Sequence, residues 1–320
     1  MGEFKTILKK QGGAELLKQG FKKKLLAVAG VELLILGWER KALEILRLIL
    51  DYKSKKFFEK KYRKRIAEIE KKYDPTIVSE KSNKLWVCWF QGLENAPKIV
   101  KLCVQSLKNN LTDREIVLIT KENIHEYVNF PQYIIEKWEK GQISNTHMTD
   151  LLRLELLLAY GGTWIDATVY CTSKRDEIPD YFFDSELFLM QTLKPGRDGA
   201  STFISSWYIT SYTNNKVLWV TKELCYEYWQ KNNYLVDYFL LHHFLCMVLE
   251  NCQEEWEKII PRDNSTPHIL LLRLFEKYEQ KTYQYVVEQS PFHKLSYKFS
   301  KEQKQLSHTF YQYLLSKYEG

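Results

Sequence analysis

Over residues 4–73 the apolar positions, among them Leu33, Leu34, Leu36, Leu43, Ile45, Leu46 and Leu50, recur close to helical spacing with Lys and Arg between them, which predicts an amphipathic helical region. The periodicity is lost at Asp74-Pro75, and residues 74–83 read as a boundary. Beyond it the pattern changes kind. Residues 85–90 (Leu-Trp-Val-Cys-Trp-Phe) are an unbroken apolar run of strand length, residues 96–107 read as a helix with Pro97 at its start, and residues 115–120 repeat the buried-strand pattern. Strand, helix and strand in that order predict a βαβ unit in a parallel sheet. Ligands are then expected at the carboxyl ends of the strands, here Gln91-Gly92 and Thr120-Lys121.

Residues 149–160 carry the clearest helical pattern. Thr149 is the expected N-cap, Leu151, Leu152, Leu154, Leu157 and Leu158 make a broad apolar surface, and Gly161-Gly162 ends it. Thr163-Trp164-Ile165 then reads as a short buried strand that delivers Asp166. Residues 186–191 are another strand, residues 215–230, 237–249, 268–278 and 301–318 read as helices, residues 282–287 as a strand, and residues 290–299 as irregular. The expected organisation is a basic helical region over residues 1–80 followed by an α/β domain over residues 81–320.

Composition narrows the class. With 45% hydrophobic residues, 14% aromatic residues and few breakers (13 Gly, 8 Pro), the chain can bury a large core, which excludes disordered and collagen-like classes. The net charge of +7 sits at one end: residues 1–73 hold 20 basic against 9 acidic side chains, residues 74–320 hold 27 against 31. Two readings of that end stand side by side. It is a peripheral membrane anchor that sets Lys22-Lys23-Lys24 and residues 60–65 against anionic lipid, or a solvated helical face packed on the main domain. Nucleic acid is not an expected partner, because no groove-reading motif accompanies the charge. The apolar stretch 25–37 contains Glu32 and is too short to span a bilayer, and no signal-peptide cleavage pattern follows it. Six scattered cysteines without a Cys-x-x-Cys or Cys/His cluster fit reduced thiols and a cytoplasmic setting.

Asp150 and Arg153 lie one helical turn apart, ahead of the Gly-Gly turn and the strand that ends in Asp166, so an acid, a base and a second acid are expected near one strand end. Read singly, Asp150 and Arg153 are a local ion pair and Asp166 a turn residue. Trp89 and Gln91 close the first strand, where a nucleotide would lie, although Trp89 is equally suited to a core. Asp237 reads as an N-cap or as an acid facing an acceptor hydroxyl. His242 and His243, being adjacent, point to different sides of a helix and read as core or surface residues. No P-loop, Gly-x-Ser-x-Gly elbow or Gly-x-Gly-x-x-Gly turn is present.

The string Thr146-His-Met-Thr-Asp-Leu-Leu-Arg-Leu-Glu-Leu-Leu-Leu-Ala-Tyr-Gly-Gly-Thr-Trp-Ile-Asp-Ala-Thr168 resembles the D-x-D region of GT-A glycosyltransferases, and most closely the bacterial capsular polysaccharide synthesis proteins, related to family 32 sugar transferases and large clostridial glucosylating toxins. Residues 86–97 and 290–298 share in the likeness. The resemblance implies a GT-A-like nucleotide-sugar-binding domain with a mostly parallel central sheet. It implies that Asp150 and Arg153 hold the donor, with Gly162 grouped in the same site, and that Asp166 is catalytic as the first D-x-D carboxylate, on a divalent cation (Mn²⁺ or Mg²⁺). Thr168 occupies the second D-x-D position, a neutral departure. By the same likeness His293 is a downstream metal ligand, and Lys294 and Lys298 neutralise phosphate. The implied reaction moves a hexose, with retention, from a nucleotide sugar, most simply a UDP-sugar, to a polyprenyl-diphosphate-linked capsule or exopolysaccharide intermediate at the inner face of the plasma membrane. Two alternatives remain: a degenerate, non-catalytic scaffold for polysaccharide assembly, and a sugar-1-phosphate transferase.

Overall fold

The computed structural model describes residues 30–31, 34–37, 39–192 and 200–319. The Lys22-Lys23-Lys24 run of the expected membrane anchor lies outside the described residues. Among those described, no helix is long and apolar enough to cross a membrane.

The first long helix, α1 (Arg40–Glu70), buries one face made of Ala42, Leu46, Ser54, Phe58, Tyr62, Ile66 and Ile69, at three- and four-residue steps once half-buried Leu50 is included. Lys56, Lys60, Lys61, Arg63 and Lys64 stand exposed on the other side. Each buried large side chain contributes about 1.5–3 kcal/mol, so packing holds this charged helix in place. For residues 40–70 the structure therefore shows an exposed basic face on a helix whose other face is packed into the core.

The chain then enters β1 (Lys84–Cys88), crosses through α2 (Lys98–Asn110) and returns as β2 (Glu115–Ile119), parallel to β1 with Lys84 opposite Glu115. The predicted βαβ unit is present. Two short helices lead to α3 (Asn145–Tyr160), which feeds β3 (Gly162–Ile165) on the other side of β1. After β4 (Val169–Cys171), strands β5 (Leu187–Gln191) and β6 (Ile204–Ser211) complete a five-stranded sheet of order β2-β1-β3-β6-β5. Because β6 is antiparallel to both neighbours, it alone opposes the common direction, and the sheet is mostly parallel. Helices cover both faces. One core holds α1, α3, α4 (Lys216–Lys231) and α5 (Leu240–Asn251). The other holds α2, β4 and the carboxyl-terminal elements, which include α6 (Gln280–Glu288), β7 (Phe292–Lys294) and α7 (Phe310–Glu319). The order of strands reverses at β1, with β2 on one side and β3 on the other, and such a switch point opens a crevice at the carboxyl ends of β1 and β3.

Several local expectations are corrected. Helix α3 starts one turn earlier than Thr149, because the Ser144 hydroxyl accepts from the His147 amide at 3.3 Å and caps it there. Residues 282–287 are helical, since Tyr283 and Val286 face the core three residues apart and the Glu279 carboxylate caps the turn. Residues 292–294, read as irregular, form β7 antiparallel to β4. Residues 301–318 form two helices with a break at His308, whose φ is 56°. Strand β6 was not expected at all: its Ser206, Thr210 and Ser211 interrupt the apolar pattern, yet all three are buried and hydrogen-bonded.

Candidate active site

At the carboxyl end of β3, Asp166 is fixed by its own backbone, whose amide donates to Trp207 O of β6 at 2.9 Å. The Trp164 indole, two residues back on the same strand face, donates to Asp166 Oδ1 at 3.0 Å. Arg153 reaches across from α3. Its guanidinium lies 3.1 Å from Asp150 Oδ1 and 3.7 Å from Asp166 Oδ1, donates to Ser206 Oγ at 2.7 Å and to the Ser206 and Thr149 carbonyls, and stacks 4.8 Å over the Trp164 ring. From the opposite side comes Lys294. The register of β4 against β7 places it across from Val169, and its ammonium donates to Asp166 Oδ2 and to Thr168 Oγ1, each at 2.7 Å.

Burial and charge sort these groups. Asp150, enclosed and close to the Asp166 carboxylate, is pushed up to about 7 although Arg153 pulls the other way. Burial also opposes ionisation of Asp166, but Lys294 and Arg153 outweigh it and hold that carboxyl below its ordinary value. The site therefore keeps Asp166 as an anion between two cations. Burial drives His147 down to about 4, so a neutral imidazole sits 3.6 Å from Asp150. His242 is lowered to about 3 by burial and by the nearby positive charge of Arg153.

A family model described as "Capsular polysaccharide synthesis protein" matches residues 39–314. The chain belongs to this family. The matched span takes in α1 together with the sheet and every site residue above. A curated relative, "Glycosyltransferase afumC" of Aspergillus fumigatus (strain CBS 144.89 / FGSC A1163 / CEA10), is 31% identical over 103 residues, which is 29% of this chain and only about a quarter (26%) of the relative's length. A solved structure named "PaToxG Glycosyltransferase" covers 84% of this chain and 98% of its own at 16% identity, with a TM-score of 0.38, a likeness too low to bear on the site.

In this member of the capsular polysaccharide synthesis family, Asp150, Arg153, Asp166, Thr168 and Lys294 lie together at the carboxyl end of β3. Trp89 and Gln91 lie just past β1, on the neighbouring strand end. The Trp89 indole N–H is buried with no hydrogen-bond partner among the described residues, and its ring meets Tyr297 edge-on at 5.1 Å; Lys298 is exposed, 5.5 Å over that same Tyr297 ring. Gln91 is exposed, and its carbonyl accepts from Asn95.

Three other expected site residues are held in different contacts. His293 does not meet Asp166: next to Lys294 on a strand, it points to the opposite face, fully buried, with Nε2 3.2 Å from Thr172 Oγ1. Gly162 is at the far end of β3 from Asp166, where a Cβ would lie 2.3 Å from the Lys84 carbonyl oxygen, so it serves the close approach of β3 to β1. Asp237 accepts from the Phe239 amide at 2.8 Å and faces His243 at 3.7 Å. Although burial opposes it, His243 holds Asp237 at about 2, which makes it a poor base for an acceptor hydroxyl. Asp237, Asp51 and His243 place ligand-type atoms within 4.8 Å of one another, the one such group among the described residues, and its imidazole already lies between two carboxylates.

Sequence reasoning missed three contributors. Ser206 anchors Arg153 but sits in the unrecognised strand, Tyr297 walls Trp89, and His242 was assigned no role although it lies within electrostatic reach of Arg153 and Asp166. Only Tyr297 had a signal, its place inside the shared 290–298 stretch.

Proposed function

We propose that this protein is a GT-A-type glycosyltransferase that takes a hexose from a nucleotide sugar, most simply a UDP-sugar, at the carboxyl ends of β1 and β3. The observation that carries the reading is the convergence of Arg153 and Lys294 on Asp166. In the reaction the bond between the anomeric carbon and the diphosphate oxygen breaks, its electron pair leaves with the nucleoside diphosphate, and the acceptor oxygen bonds to the anomeric carbon as its proton passes to the departing diphosphate. Negative charge therefore grows on the phosphate, and two fixed cations beside the leaving group stabilise it without reorganisation. Asp166 keeps both cations aimed. Trp89 offers an unpaired indole N–H at the neighbouring strand end, and Lys298 adds charge at the rim.

The cation that the resemblance implies, Mn²⁺ or Mg²⁺, is poorly matched by this donor set. One carboxylate and one neutral hydroxyl remain at the D-x-D position, both already engaged by an ammonium, and the expected imidazole is on another face. No step is assigned to a metal here.

The acceptor in this reading is a polyprenyl-diphosphate-linked capsule or exopolysaccharide intermediate, and transfer proceeds with retention. The exposed basic face of α1, with exposed Leu34, Ile35, Leu36 and Ile45 ahead of and along it, supports attachment to the anionic inner leaflet of the plasma membrane. Thr168 in place of a second carboxylate equally suits the alternative of a non-catalytic scaffold. A donor screen by mass spectrometry, run on the full chain with a lipid-linked acceptor and with Asp166→Ala in parallel, separates these. Release of a nucleoside diphosphate from one donor, lost in the variant, supports the transferase. Release of a nucleoside monophosphate means that phosphate travels with the sugar, and silence across the panel favours the scaffold.

A further inference from the structure

Resting on the transferase reading, we propose that the Lys294 ammonium stands where a D-x-D enzyme would hold its divalent cation, so that this chain binds the diphosphate of its donor without metal.

The geometry is that of a cation seat. Lys294 Nζ lies 2.7 Å from Asp166 Oδ2 and 2.7 Å from Thr168 Oγ1, the two positions at which the motif would present oxygen ligands. A protonated amine carries three donors and no lone pair, so it competes with a metal for those oxygens and repels one by charge. The motif's composition fits this occupant. A dication bound by oxygen ligands favours two carboxylates, whereas a monocation is neutralised by one, and here Asp166 is the one and Thr168 is uncharged.

Lys294 is held there by the backbone. It belongs to β7, which pairs with β4 directly after Thr168, and the Leu295 amide donates to the Thr168 carbonyl at 2.9 Å. His293 and Leu295 on either side are buried, and the lysine side chain itself is only 18% exposed. With two of its three N–H groups on Asp166 and Thr168, the third has no partner among the described residues. That N–H, together with the Arg153 guanidinium held 3.7 Å from Asp166, is the group offered to a diphosphate oxygen. The bond that breaks hands its electron pair to the diphosphate oxygen that Lys294 contacts.

The test is calorimetric titration of the full-length protein with UDP, GDP and CDP, each in EDTA and in Mn²⁺ or Mg²⁺, with Mn²⁺ binding followed separately by electron paramagnetic resonance. The expected result is one nucleotide bound with a Kd that changes less than about twofold between EDTA and metal, and no protein-bound Mn²⁺ with or without it. Lys294→Met should weaken that binding about 10- to 100-fold, the range for losing a hydrogen bond to a charged group, and Lys294→Arg, which keeps charge and donors, should recover part of it. Equal melting temperatures for the two variants separate this from misfolding. Nucleotide binding that requires Mn²⁺ or Mg²⁺, or that survives Lys294→Met, overturns the inference and leaves the transferase reading standing. No binding of any nucleotide under either condition overturns the transferase reading itself.

Discussion

Arg153 is gripped from several sides: Thr149, Ser206 and Asp150 take up most of its fork, Trp164 lies beneath it, and Asp166 is within reach. Lysine in its place keeps the charge but has neither the planar fork nor the stacking face. Arg153→Lys is expected to lower donor turnover at least about 100-fold, in line with loss of a preorganised charge-stabilising donor, and to destabilise the fold by about 3–5 kcal/mol, since Asp150 is left buried with its partner withdrawn. Steady-state rates and denaturant titration read the two losses separately. Gly162→Ala makes a contrasting residue-scale prediction. The position has φ of 91° and a Cβ there would sit 2.3 Å from the Lys84 carbonyl oxygen, so β1 and β3 must part. A melting temperature lowered by about 3 °C or more is expected, about 2 kcal/mol or greater at this size, with no change in nucleotide selectivity in whatever folded fraction survives.

Among the elements, α1 and α5 are joined by a charged contact at their centre. His243 Nε2 lies 3.3 Å from Asp51 of α1 and 3.7 Å from Asp237, and Asp51 also accepts from the Ser201 amide at 2.9 Å. Burial opposes a proton on His243, yet the two carboxylates outweigh it and raise its pKa; for Asp51 and Asp237 burial likewise opposes ionisation, and His243 outweighs it and lowers both. The stabilisation carried by His243 is complete below its ordinary value of 6.5 and is lost as pH rises through the raised folded value. The carboxylates contribute above 3.8 and lose that contribution as pH falls through their folded values, about 2 for Asp237. His243→Gln is therefore expected to cost more stability at pH 5.5 than at pH 9, measured by urea titration at both; an equal cost would mean that His243 acts as a neutral packing group. How much of this was legible follows sequence distance. Asp150, Arg153 and Asp166 were readable because one helix, one Gly-Gly turn and one short strand fix them within seventeen residues. Lys294 was readable as a phosphate-neutralising residue but not as the partner of Asp166 and Thr168, because β4 pairs with β7 across more than 120 positions and a three-residue strand has too few residues to show its alternation. The same blindness put His293 at the metal: which of two neighbours faces the site is decided by pleat and register, and those are set by the partner strand. Strand β6 stayed hidden because its hydroxyls are satisfied by distant groups such as Thr163 and Arg153.

At the scale of the whole molecule, charge and shape are arranged on different sides of one helix. The basic residues of α1 face outward while Phe58 and Tyr62 meet Phe244 edge-on at 5.3 and 5.0 Å inside the core. If the outer face meets an anionic leaflet, full-length protein should float with vesicles containing phosphatidylglycerol at low salt and be released as salt approaches 1 M, where the screening length falls to about 3 Å. Failure to float at any salt removes the membrane from the reading. The inner face has a separate consequence for anyone dividing the chain. Material begun after residue 80 would leave Phe244, Tyr228 and their neighbours without a lid, an uncovered aromatic surface, and should be recovered as aggregates, with solubility returning when residues 39–73 are supplied on the same chain.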